Sequence, residues 1–100
     1  YDLLIYVASW PDRRIDAWDA LLKARAIENM SYVVAVNRCG TDPNGVAYSG
    51  HSQIINFMGK HHVEPIVDEQ IYVTEIEKDS LITARQKFAF LNDADDFEIK

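Results

Sequence analysis

The amino-acid sequence predicts an α/β fold with a parallel pair of strands, because two buried strands flank one amphipathic helix. The continuous apolar run from Leu3 to Ala8 is typical of a strand that is covered on both faces. The segment from Tyr32 to Val36 is rich in β-branched residues and predicts a second buried strand. Parallel strands joined through a helix are expected to have a right-handed crossover.

The helix between these strands is expected to begin at Ser9 or at Asp12. The spacing of these two residues fits a capping box, and either side chain is a suitable N-cap. The helical pattern continues to Asn29 or Met30, where the pattern of the second strand begins. The helix therefore occupies nearly all of the segment between the two strands.

One stripe of this helix combines apolar residues with polar ones. The helical period places four apolar residues on the stripe: Ile15, Trp18, Leu22 and Ala26. Arg25 and Asn29 fall on the same stripe. A buried guanidinium needs a hydrogen-bonded partner, and Glu28 lies about one helical turn from Arg25. We therefore expect Arg25, Glu28 and Asn29 to form a buried polar cluster with a structural role.

The opposite side of the helix is expected to be covered as well. It carries small or apolar residues: Ala20, Ala24 and Ile27. Small side chains let a second helix approach closely, so the sequence predicts a helix that is packed on two sides.

Beyond the second strand, the sequence predicts a loop and a β-hairpin. The loop extends from Cys39 to Gly50 and contains an Asp-Pro-Asn-Gly segment, whose residue types favour a turn. Two strands follow, Ser52 to Phe57 and His61 to Val67, on either side of Met58-Gly59-Lys60. Their short separation predicts an antiparallel pair.

The last part of the chain predicts one more strand and a short helix. Residues from Gln70 to Glu77 alternate as in a strand with one face partly open to solvent. Asp79 or Ser80 is expected to cap a helix that ends near Phe88. The acidic tail from Asn92 to Lys100 is expected to lie along the surface or on a partner subunit.

Composition limits the classes of function. A chain of 100 residues that is 48% hydrophobic suits one domain at most. The net charge of −6 opposes binding to nucleic acid. No apolar run approaches the roughly 20 residues that cross a membrane, so we expect no membrane partner. The single cysteine cannot form an internal disulfide, which suits a cytoplasmic protein.

Cysteine and histidine offer catalytic and metal-binding chemistry, but each has a plainer explanation here. Cys39 with His51 as its base would resemble a thiol hydrolase, yet a free cysteine at the end of a buried strand more often packs in the core. His61 and His62 are adjacent in a predicted strand, so they point to opposite faces and cannot easily share a metal ion. We expect no metal site.

Ser9, Trp10 and Pro11 are the better candidates for a functional site. They directly follow the carboxyl end of the first predicted strand. Open α/β sheets bind their ligands at that edge. The alternative is that Trp10 only covers the core.

Several separated motifs follow one another in a characteristic order. They are YVASWP, then R-x-x-x-W-x-x-LL-x-ARAIEN, then YVVAVNR-x-G-x-D-x-NG-x-x-Y-SGHS, and the tail FAFLNDADDFEI. Together they resemble the nitrilase, or carbon–nitrogen hydrolase, superfamily, and most closely its omega-amidase branch. One departure is Cys39, where the family usually has an aliphatic residue. The resemblance implies that residues 1–100 are the C-terminal portion of one carbon–nitrogen hydrolase domain, an α-β-β-α sandwich.

The same resemblance implies a thiol-dependent amidase as the whole protein. In that family a cysteine thiolate attacks an amide carbonyl, ammonia leaves, and water activated by a glutamate hydrolyses the thioester, without a cofactor. The catalytic glutamate, lysine and cysteine are expected upstream of the first strand, so this fragment alone is expected to be inactive. Ser9, Trp10 and Pro11 would line the pocket beside the nucleophile and bind the substrate.

The omega-amidase branch suggests that the substrate is an omega-amide of a small dicarboxylic keto acid. The family also implies a homodimer or a higher homo-oligomer. An alternative from another class is a non-catalytic interaction module, or an inactive fragment, that self-associates through exposed sheet edges. The residues of this chain leave both alternatives open.

Overall fold

The computed structural model describes residues 1–88, so the predicted position of the tail from Asn92 to Lys100 lies outside the described residues. Five strands, one 3-10 turn and two α-helices are formed in the described part of the chain. They are β1 (Leu3–Ala8), the 3-10 turn (Asp12–Arg14), α1 (Ile15–Asn29), β2 (Tyr32–Asn37), β3 (Cys39–Thr41), β4 (Ala47–Ser49), β5 (Gln53–Ile55) and α2 (Lys78–Phe88).

The main sheet has the order β1-β2-β5. Strands β1 and β2 are parallel, with Leu3 opposite Tyr32 and Ala8 opposite Asn37. Strand β5 pairs with the other edge of β2 in the antiparallel direction. The predicted β-α-β unit is therefore confirmed, and β2 ends one residue later than expected.

Helix α1 packs on one face of this sheet and builds the core. The fully buried cluster contains Trp18, Leu22 and Ala26 from the helix with Val33, Ala35 and Ile55 from the sheet. The predicted apolar stripe is thus the face that contacts the sheet. Burial of a large apolar side chain contributes about 1.5–3 kcal/mol, so this cluster holds the helix in place.

The other face of the sheet is open along β1. Ile5 is 60% exposed and Val7 is 83% exposed, while Val36 on β2 is 48% exposed. These residues alternate with the ones that face α1. The expectation that both faces of β1 are covered is therefore wrong for residues 1–88, because no element in that range packs on this part of the second face.

Helix α1 begins differently from the prediction. Neither the 3-10 turn nor α1 has a side-chain hydrogen bond at its N-cap, so Ser9 and Asp12 do not cap it. The chain is extended at Pro11, and the Arg14 N–H donates to the Pro11 carbonyl at 3.0 Å to close the 3-10 turn. The predicted end is confirmed, since Met30 turns left-handed after Asn29.

The predicted loop from Cys39 to Gly50 contains a second, two-stranded sheet. Strands β3 and β4 pair in the antiparallel direction, with Cys39 opposite Ser49. Between them Asp42 closes the predicted turn by accepting hydrogen bonds from the Asn44 and Val46 N–H groups, each at 2.9 Å. The turn is therefore confirmed, whereas the description of the flanking residues as loop is wrong.

The two strands predicted after Gly50 are only partly formed. Strand β5 covers three of the residues expected from Ser52 to Phe57. The predicted partner segment, His61 to Val67, contributes isolated bridges rather than a strand. The turn between them is held by Asn56, whose Oδ1 accepts from the N–H groups of Met58 at 2.9 Å and Lys60 at 3.1 Å.

The strand predicted from Gln70 to Glu77 is wrong. The structure has no strand in that segment, and its alternating apolar residues are open, with Ile71 93% exposed and Val73 86% exposed. Alternation alone does not make a strand. A strand also needs a neighbouring edge for its backbone hydrogen bonds, and no described residue supplies one here.

Helix α2 begins at Lys78 and extends to Phe88, the last described residue, so its predicted end near Phe88 stays a prediction. Asp79 and Ser80 therefore lie inside its first turn and are not the caps that were expected. Ser80 Oγ instead donates to Glu77 Oε2 at 2.7 Å. Neither α1 nor α2, the helices of the described region, is long and apolar enough to cross a membrane.

Candidate functional site

The carboxyl ends of β1 and β2 lie side by side and form one edge of the main sheet. Ala8 and Asn37 are opposite each other in the register, so Ser9 to Pro11 leaves β1 next to the place where Arg38 leaves β2. The Arg38 N–H donates to the Ala8 carbonyl at 3.3 Å and extends the pairing by one bond. Ser9 to Pro11 therefore lies at this edge, as the strand direction predicts.

Asn37 is a buried polar residue at the centre of this edge, with 6% of its surface exposed. Its Oδ1 accepts from the Trp10 N–H at 2.7 Å, and its Nδ2 donates to the Trp10 carbonyl at 2.9 Å and to the Gly50 carbonyl at 2.8 Å. Its own N–H donates to Ser52 Oγ at 3.0 Å. Both N–H donors of the carboxamide are thus used.

The backbone at Gly50 and His51 makes a tight left-handed turn. The φ angles are 73° at Gly50 and 57° at His51, and a side chain on Gly50 would meet the Ile66 carbonyl oxygen at 3.0 Å. A non-glycine residue at positive φ costs energy and needs support from its surroundings. Trp18 gives such support, because its Nε1 donates to the His51 carbonyl at 2.9 Å.

The Trp10 ring lies between the helix start and the core. Its centroid is 5.8 Å from that of Trp18, and the Arg14 guanidinium lies 4.8 Å above it. Trp10 Nε1 donates to the Arg14 carbonyl at 2.6 Å. The ring lines a groove of 230 Å³ with Tyr6 and Leu21 on the helix side of the sheet. It therefore covers the core, and its predicted contact with a substrate stays a prediction.

A larger cavity of 480 Å³ lies on the other side of β2. It is lined by residues from β2 and the start of β3, by Gly50 and Ser52 to Ile54, and by part of the segment at 66–72, among them Asn37, Arg38, Cys39 and Tyr72. Ser9, Trp10 and Pro11 are not among these lining residues. The two sides of the sheet edge thus offer two separate concave surfaces, and Asn37 lies at the boundary between them.

A second polar network links α1 to β5. Gln53 is 1% exposed; its Nε2 donates to Asp19 Oδ1, and its Oε1 accepts from His61 Nε2 at 2.9 Å. The same Asp19 oxygen lies 3.2 Å from His51 Nδ1. The network therefore connects the left-handed turn, the helix and the end of β5 through one carboxylate.

The predicted cluster on α1 forms its contacts but is not buried. Arg25 donates to Glu28 Oε1 at 2.6 Å, and Asn29 Nδ2 donates to the Arg25 carbonyl at 3.0 Å. The Arg25 and Glu28 side chains are 42% and 53% exposed. The hydrogen bond from Arg25 to Glu28, and then the charge of Glu28, raise the pKa of Arg25.

The expected burial of this cluster is therefore wrong in the described residues. The reason is that Arg25 lies at the edge of the apolar stripe, beside Leu21, which is 44% exposed. The expectation that the second side of α1 is covered is also wrong for residues 1–88, because Ala20 and Ile27 are exposed there. The structural role of Arg25, Glu28 and Asn29 stays a prediction.

Arg38 lies over the Tyr48 ring at 4.4 Å, next to the turn of the β3-β4 hairpin. The Tyr48 hydroxyl donates to Asp42 Oδ2 at 3.0 Å. This hydrogen bond, together with burial, raises the pKa of Tyr48, whereas the Val46 backbone N–H is the largest cause that lowers the pKa of Asp42. The hairpin thus holds a guanidinium at the sheet edge.

The cysteine and the adjacent histidines are not brought together. Cys39 is a half-buried free thiol at the start of β3, while His61 contacts Gln53 and the His62 ring packs edge-on to Tyr32 at 5.7 Å. Within residues 1–88 no three potential metal ligands cluster.

Two residues at the centre of the polar networks were not identified as candidates from the sequence. Asn37 directly follows the apolar segment YVVAV, and Gln53 directly precedes Ile54 and Ile55. A strand pattern at such places draws attention only to the apolar residues. The signal that could have identified them is a carboxamide directly beside residues with strong strand propensity. A buried amide at such a place must be hydrogen-bonded, and both residues are.

Comparison with known proteins places this fold and sheet edge in a family. The sequence pattern of the carbon–nitrogen hydrolases matches residues 2–86. The omega-amidase YafV of Escherichia coli is 42% identical over 99% of this chain, and a 2-oxoglutaramate amidase of Bacillus subtilis is 36% identical over 92% of it. The chain spans 39% and 35% of the lengths of these two relatives.

A solved structure gives the same assignment for the fold. A CN-hydrolase superfamily protein of Xanthomonas campestris, determined with an arsenic adduct in its active site, superimposes with a TM-score of 0.93 at 43% identity. The superposition covers 100% of this chain and 38% of that protein. The described α/β fold is accordingly part of an α-β-β-α sandwich. This chain belongs to the carbon–nitrogen hydrolase family.

Proposed function

We propose that residues 1–100 are the C-terminal portion of one carbon–nitrogen hydrolase domain, and that the whole protein is a thiol-dependent amidase. The observation that carries the proposal is the 42% identity with an omega-amidase over 99% of this chain. The proposed reaction hydrolyses the carbon–nitrogen bond of an omega-amide of a small dicarboxylic keto acid and releases ammonia. The 2-oxoglutaramate amidases among the relatives support this substrate class.

The proposed roles of residues outside and inside this chain follow from the chemistry of the reaction. A cysteine thiolate, a glutamate and a lysine outside this chain carry out attack, proton transfer and hydrolysis of the thioester. This chain contributes Ser9, Trp10 and Pro11 as substrate-binding residues at the carboxyl edge of the sheet. Arg25, Glu28 and Asn29 act as a structural cluster on α1. No cofactor takes part.

Charge at the sheet edge supports an anionic substrate. The chain as a whole has a net charge of −6, yet Arg14 lies over the Trp10 ring and Arg38 follows Asn37 at the same edge. Arginine binds carboxylates well, because its planar fork of donors matches their geometry. A keto acid with a free carboxylate suits this edge better than a neutral amide does.

The remaining features of the proposal concern assembly and location. We propose a homodimer or a higher homo-oligomer in the cytoplasm. The single cysteine is compatible with a reducing compartment. The open apolar face of β1, with Ile5 and Val7, is compatible with contact to further protein.

The test compares the complete protein that contains this chain with the 100-residue chain alone. Ammonia release is measured with 2-oxoglutaramate and with a simple amide that lacks a carboxylate, on samples whose intact mass has been verified. We expect the complete protein to prefer the keto acid amide and the chain alone to release no ammonia. Robust hydrolysis by the chain alone would overturn the assignment of the catalytic residues to other segments.

The second candidate function is a non-catalytic module that self-associates. The observation that favours it is the open apolar face of β1, where Val7 is 83% exposed. Size-exclusion chromatography of the mass-verified chain over a range of concentrations tests it. Stable self-association together with an inactive complete protein would favour the module over the amidase.

A further inference from the structure

Asn37 joins two backbone segments that are distant in sequence and meet at the carboxyl edge of the sheet. Its carboxamide bonds both the N–H and the carbonyl of Trp10, 27 residues away, and the carbonyl of Gly50, 13 residues away. We call these three bonds the Asn37 clamp. Because both peptide units that flank Trp10 are held, the segment can neither slide nor rotate without breaking a bond.

The two held segments depend on the clamp to different degrees. The Trp10 ring has other partners, Trp18 at 5.8 Å and Arg14 at 4.8 Å, but these hold the ring and not the backbone. The Gly50 carbonyl lies in the left-handed turn that Trp18 supports one residue later, at His51. The clamp therefore sets the distance between the Trp10 backbone and this turn.

We infer that Asn37 is a positioning residue of the proposed substrate site: its carboxamide fixes the Ser9 to Pro11 segment and holds the Gly50–His51 turn beside it. The inference rests on the proposed function, in which that segment binds the substrate. Asn37 is 6% exposed and its carboxamide is occupied by bonds to Trp10 and Gly50, so it acts on the Ser9 to Pro11 segment through the backbone of Trp10.

The Asn37 clamp depends on the hydrogen-bond donors of the carboxamide and not only on the shape of the side chain. Two N–H bonds of Nδ2 point at two carbonyl oxygens, those of Trp10 and Gly50. An aspartate at position 37 has the same shape, but its ionised form places a negative oxygen against both carbonyls. Burial and these carbonyl dipoles favour the protonated form, which restores one of the two donated bonds. Asn37→Asp should therefore make the positioning depend on pH.

The chain offers a matched control in Asn56→Asp. Asn56 Oδ1 only accepts hydrogen bonds, from the N–H groups of Met58 and Lys60. A carboxylate accepts such bonds equally well, so this variant adds the same charge and keeps both of these bonds. The charged or titratable side chains around the clamp are present in both variants: Arg14, Arg38, His51 with its partner Asp19, and Cys39, Asp68, Glu69 and Tyr72, which line the 480 Å³ cavity with Asn37.

The experiment measures kcat and KM of the complete protein for 2-oxoglutaramate from about pH 5.5 to about pH 8.5. At the alkaline end, we expect Asn37→Asp to lose about 10–100-fold in kcat/KM, mainly through a higher KM, because a displaced binding segment misplaces the substrate. At the acidic end, the loss relative to the unmodified protein should shrink to about 3-fold or less, since the acid is protonated. Asn56→Asp should stay within about 2-fold throughout.

Hydrogen exchange of the Trp10 amide gives a readout that needs no activity. In the unmodified protein this amide should exchange slowly, like the strand amides, whereas the amide of Ile71, in a segment without described pairing, should exchange fast. Asn37→Asp keeps the oxygen that accepts from the Trp10 N–H but loses both bonds that Nδ2 donates, so the segment should open more often. Exchange of the Trp10 amide should therefore rise about 10-fold or more at alkaline pH relative to Asn56→Asp. The measurement on unmodified protein applies even where the variant does not fold.

Three results would overturn the inference. One is a kcat/KM ratio between Asn37→Asp and the unmodified protein that does not change with pH. Another is a lower melting temperature with unchanged KM and kcat, which would make Asn37 structural only. The third is Trp10 exchange in the unmodified protein as fast as that of Ile71. If the unmodified protein does not hydrolyse the keto acid amide, the proposed function fails, and Trp10 exchange alone then decides whether Asn37 positions the segment.

Discussion

The buried amides of the sheet and the ion pair of helix α1 differ in their exposure and in how far apart in sequence their hydrogen-bond partners lie. Asn37 and Gln53 are 6% and 1% exposed, and their carboxamides bond groups from other elements. Arg25 and Glu28 bond each other within one helical turn, and their side chains are 42% and 53% exposed. In these two pairs, the buried groups are neutral and connect distant segments, while the charged groups are local and solvated.

This difference follows from the energetics of desolvation. A neutral amide loses little on burial if its donors and acceptors are all bonded, whereas a buried charge must recover a much larger hydration energy. The sheet offers unpaired backbone carbonyls at its edge, as at Trp10 and Gly50, which an amide can satisfy. The outer part of α1 offers Arg25 one carboxylate and solvent. The comparison therefore predicts large effects at the sheet and small ones on the helix.

The largest effect on stability is expected from Gln53→Glu. The change replaces the Nε2 donor by an oxygen that faces the Asp19 carboxylate in a buried position. We expect a loss of about 2–4 kcal/mol at neutral pH, which lowers Tm by about 10 °C or more for a chain of this size.

The pH dependence of this variant has a definite sign. Burial and Asp19 raise the pKa of the introduced carboxyl in the folded state, so its destabilising effect is present above that pKa and diminishes as the pH falls. Gln86→Glu, at an exposed position on α2, makes the same chemical change and should leave Tm nearly unchanged. Thermal denaturation checks both, and equal Tm values at neutral pH would contradict the assigned network.

The helix and the parallel strands could be predicted because their signals are local. The six-residue apolar run and the helical stripe show which faces of the strand and the helix are apolar. The core of Trp18, Leu22 and Val33 follows from these faces. What covers a face is not a local property. The apolar pattern of Leu3 to Ala8 is the same whether or not a second layer is present, so the exposure of Val7 could not be predicted.

The polar residues of the site were harder to predict, for the same physical reason. The importance of Asn37 depends on carbonyl groups at Trp10 and Gly50, which only the sheet register brings within 3 Å. The position of Ser9 to Pro11 at the sheet edge was predictable, because it follows from strand direction alone. The capping roles of Asp79 and Ser80 were mistaken because α2 begins at Lys78, just ahead of both.

An intermediate effect is expected where an ion pair is combined with backbone contacts. Arg85 on α2 donates to the Met30 carbonyl at 3.0 Å, to the Tyr1 carbonyl at 2.6 Å and to Asp2 Oδ1 at 2.7 Å. It thus links α2 to the end of α1 and the start of β1. Arg85→Gln should lower Tm by about 5–10 °C at neutral pH, while Lys87→Gln on the same helix serves as the control.

The effect of Arg85 should weaken in acid. Its hydrogen bond to Asp2 is the largest cause that lowers the pKa of Asp2 from 3.8. A carboxyl group whose pKa is lower in the folded state than in the unfolded state stabilises the protein at pH values above its unfolded-state pKa. This contribution is lost as the pH falls through the folded-state pKa. The Tm difference between Arg85→Gln and the unmodified protein should therefore shrink below about pH 4. A difference that is constant with pH would show that only the carbonyl contacts matter.

The smallest effect is expected from Arg25→Ala in the 100-residue chain. The guanidinium and the Glu28 carboxylate are both solvated, so each regains water when the other is removed, and such pairs contribute little. The sequence alone predicts the opposite, since its apolar stripe suggests a buried pair whose disruption is severe. We expect Tm to change by a few degrees at most and the change to diminish in high salt.

The same substitution in the complete protein tests whether α1 is covered there. If segments outside this chain cover α1, the Arg25 charge becomes buried and its loss should then lower Tm strongly or dissociate the subunits. The double variant Arg25→Ala/Glu28→Ala separates the two cases. If the pair is buried, the double variant should be more stable than Arg25→Ala, because no unpaired carboxylate is left. If the pair is solvated, the two variants should have similar stability. A strong loss of stability in the isolated chain would contradict the exposure of Arg25. An oligomer of unchanged stability whose turnover is abolished would instead make Arg25 a functional residue.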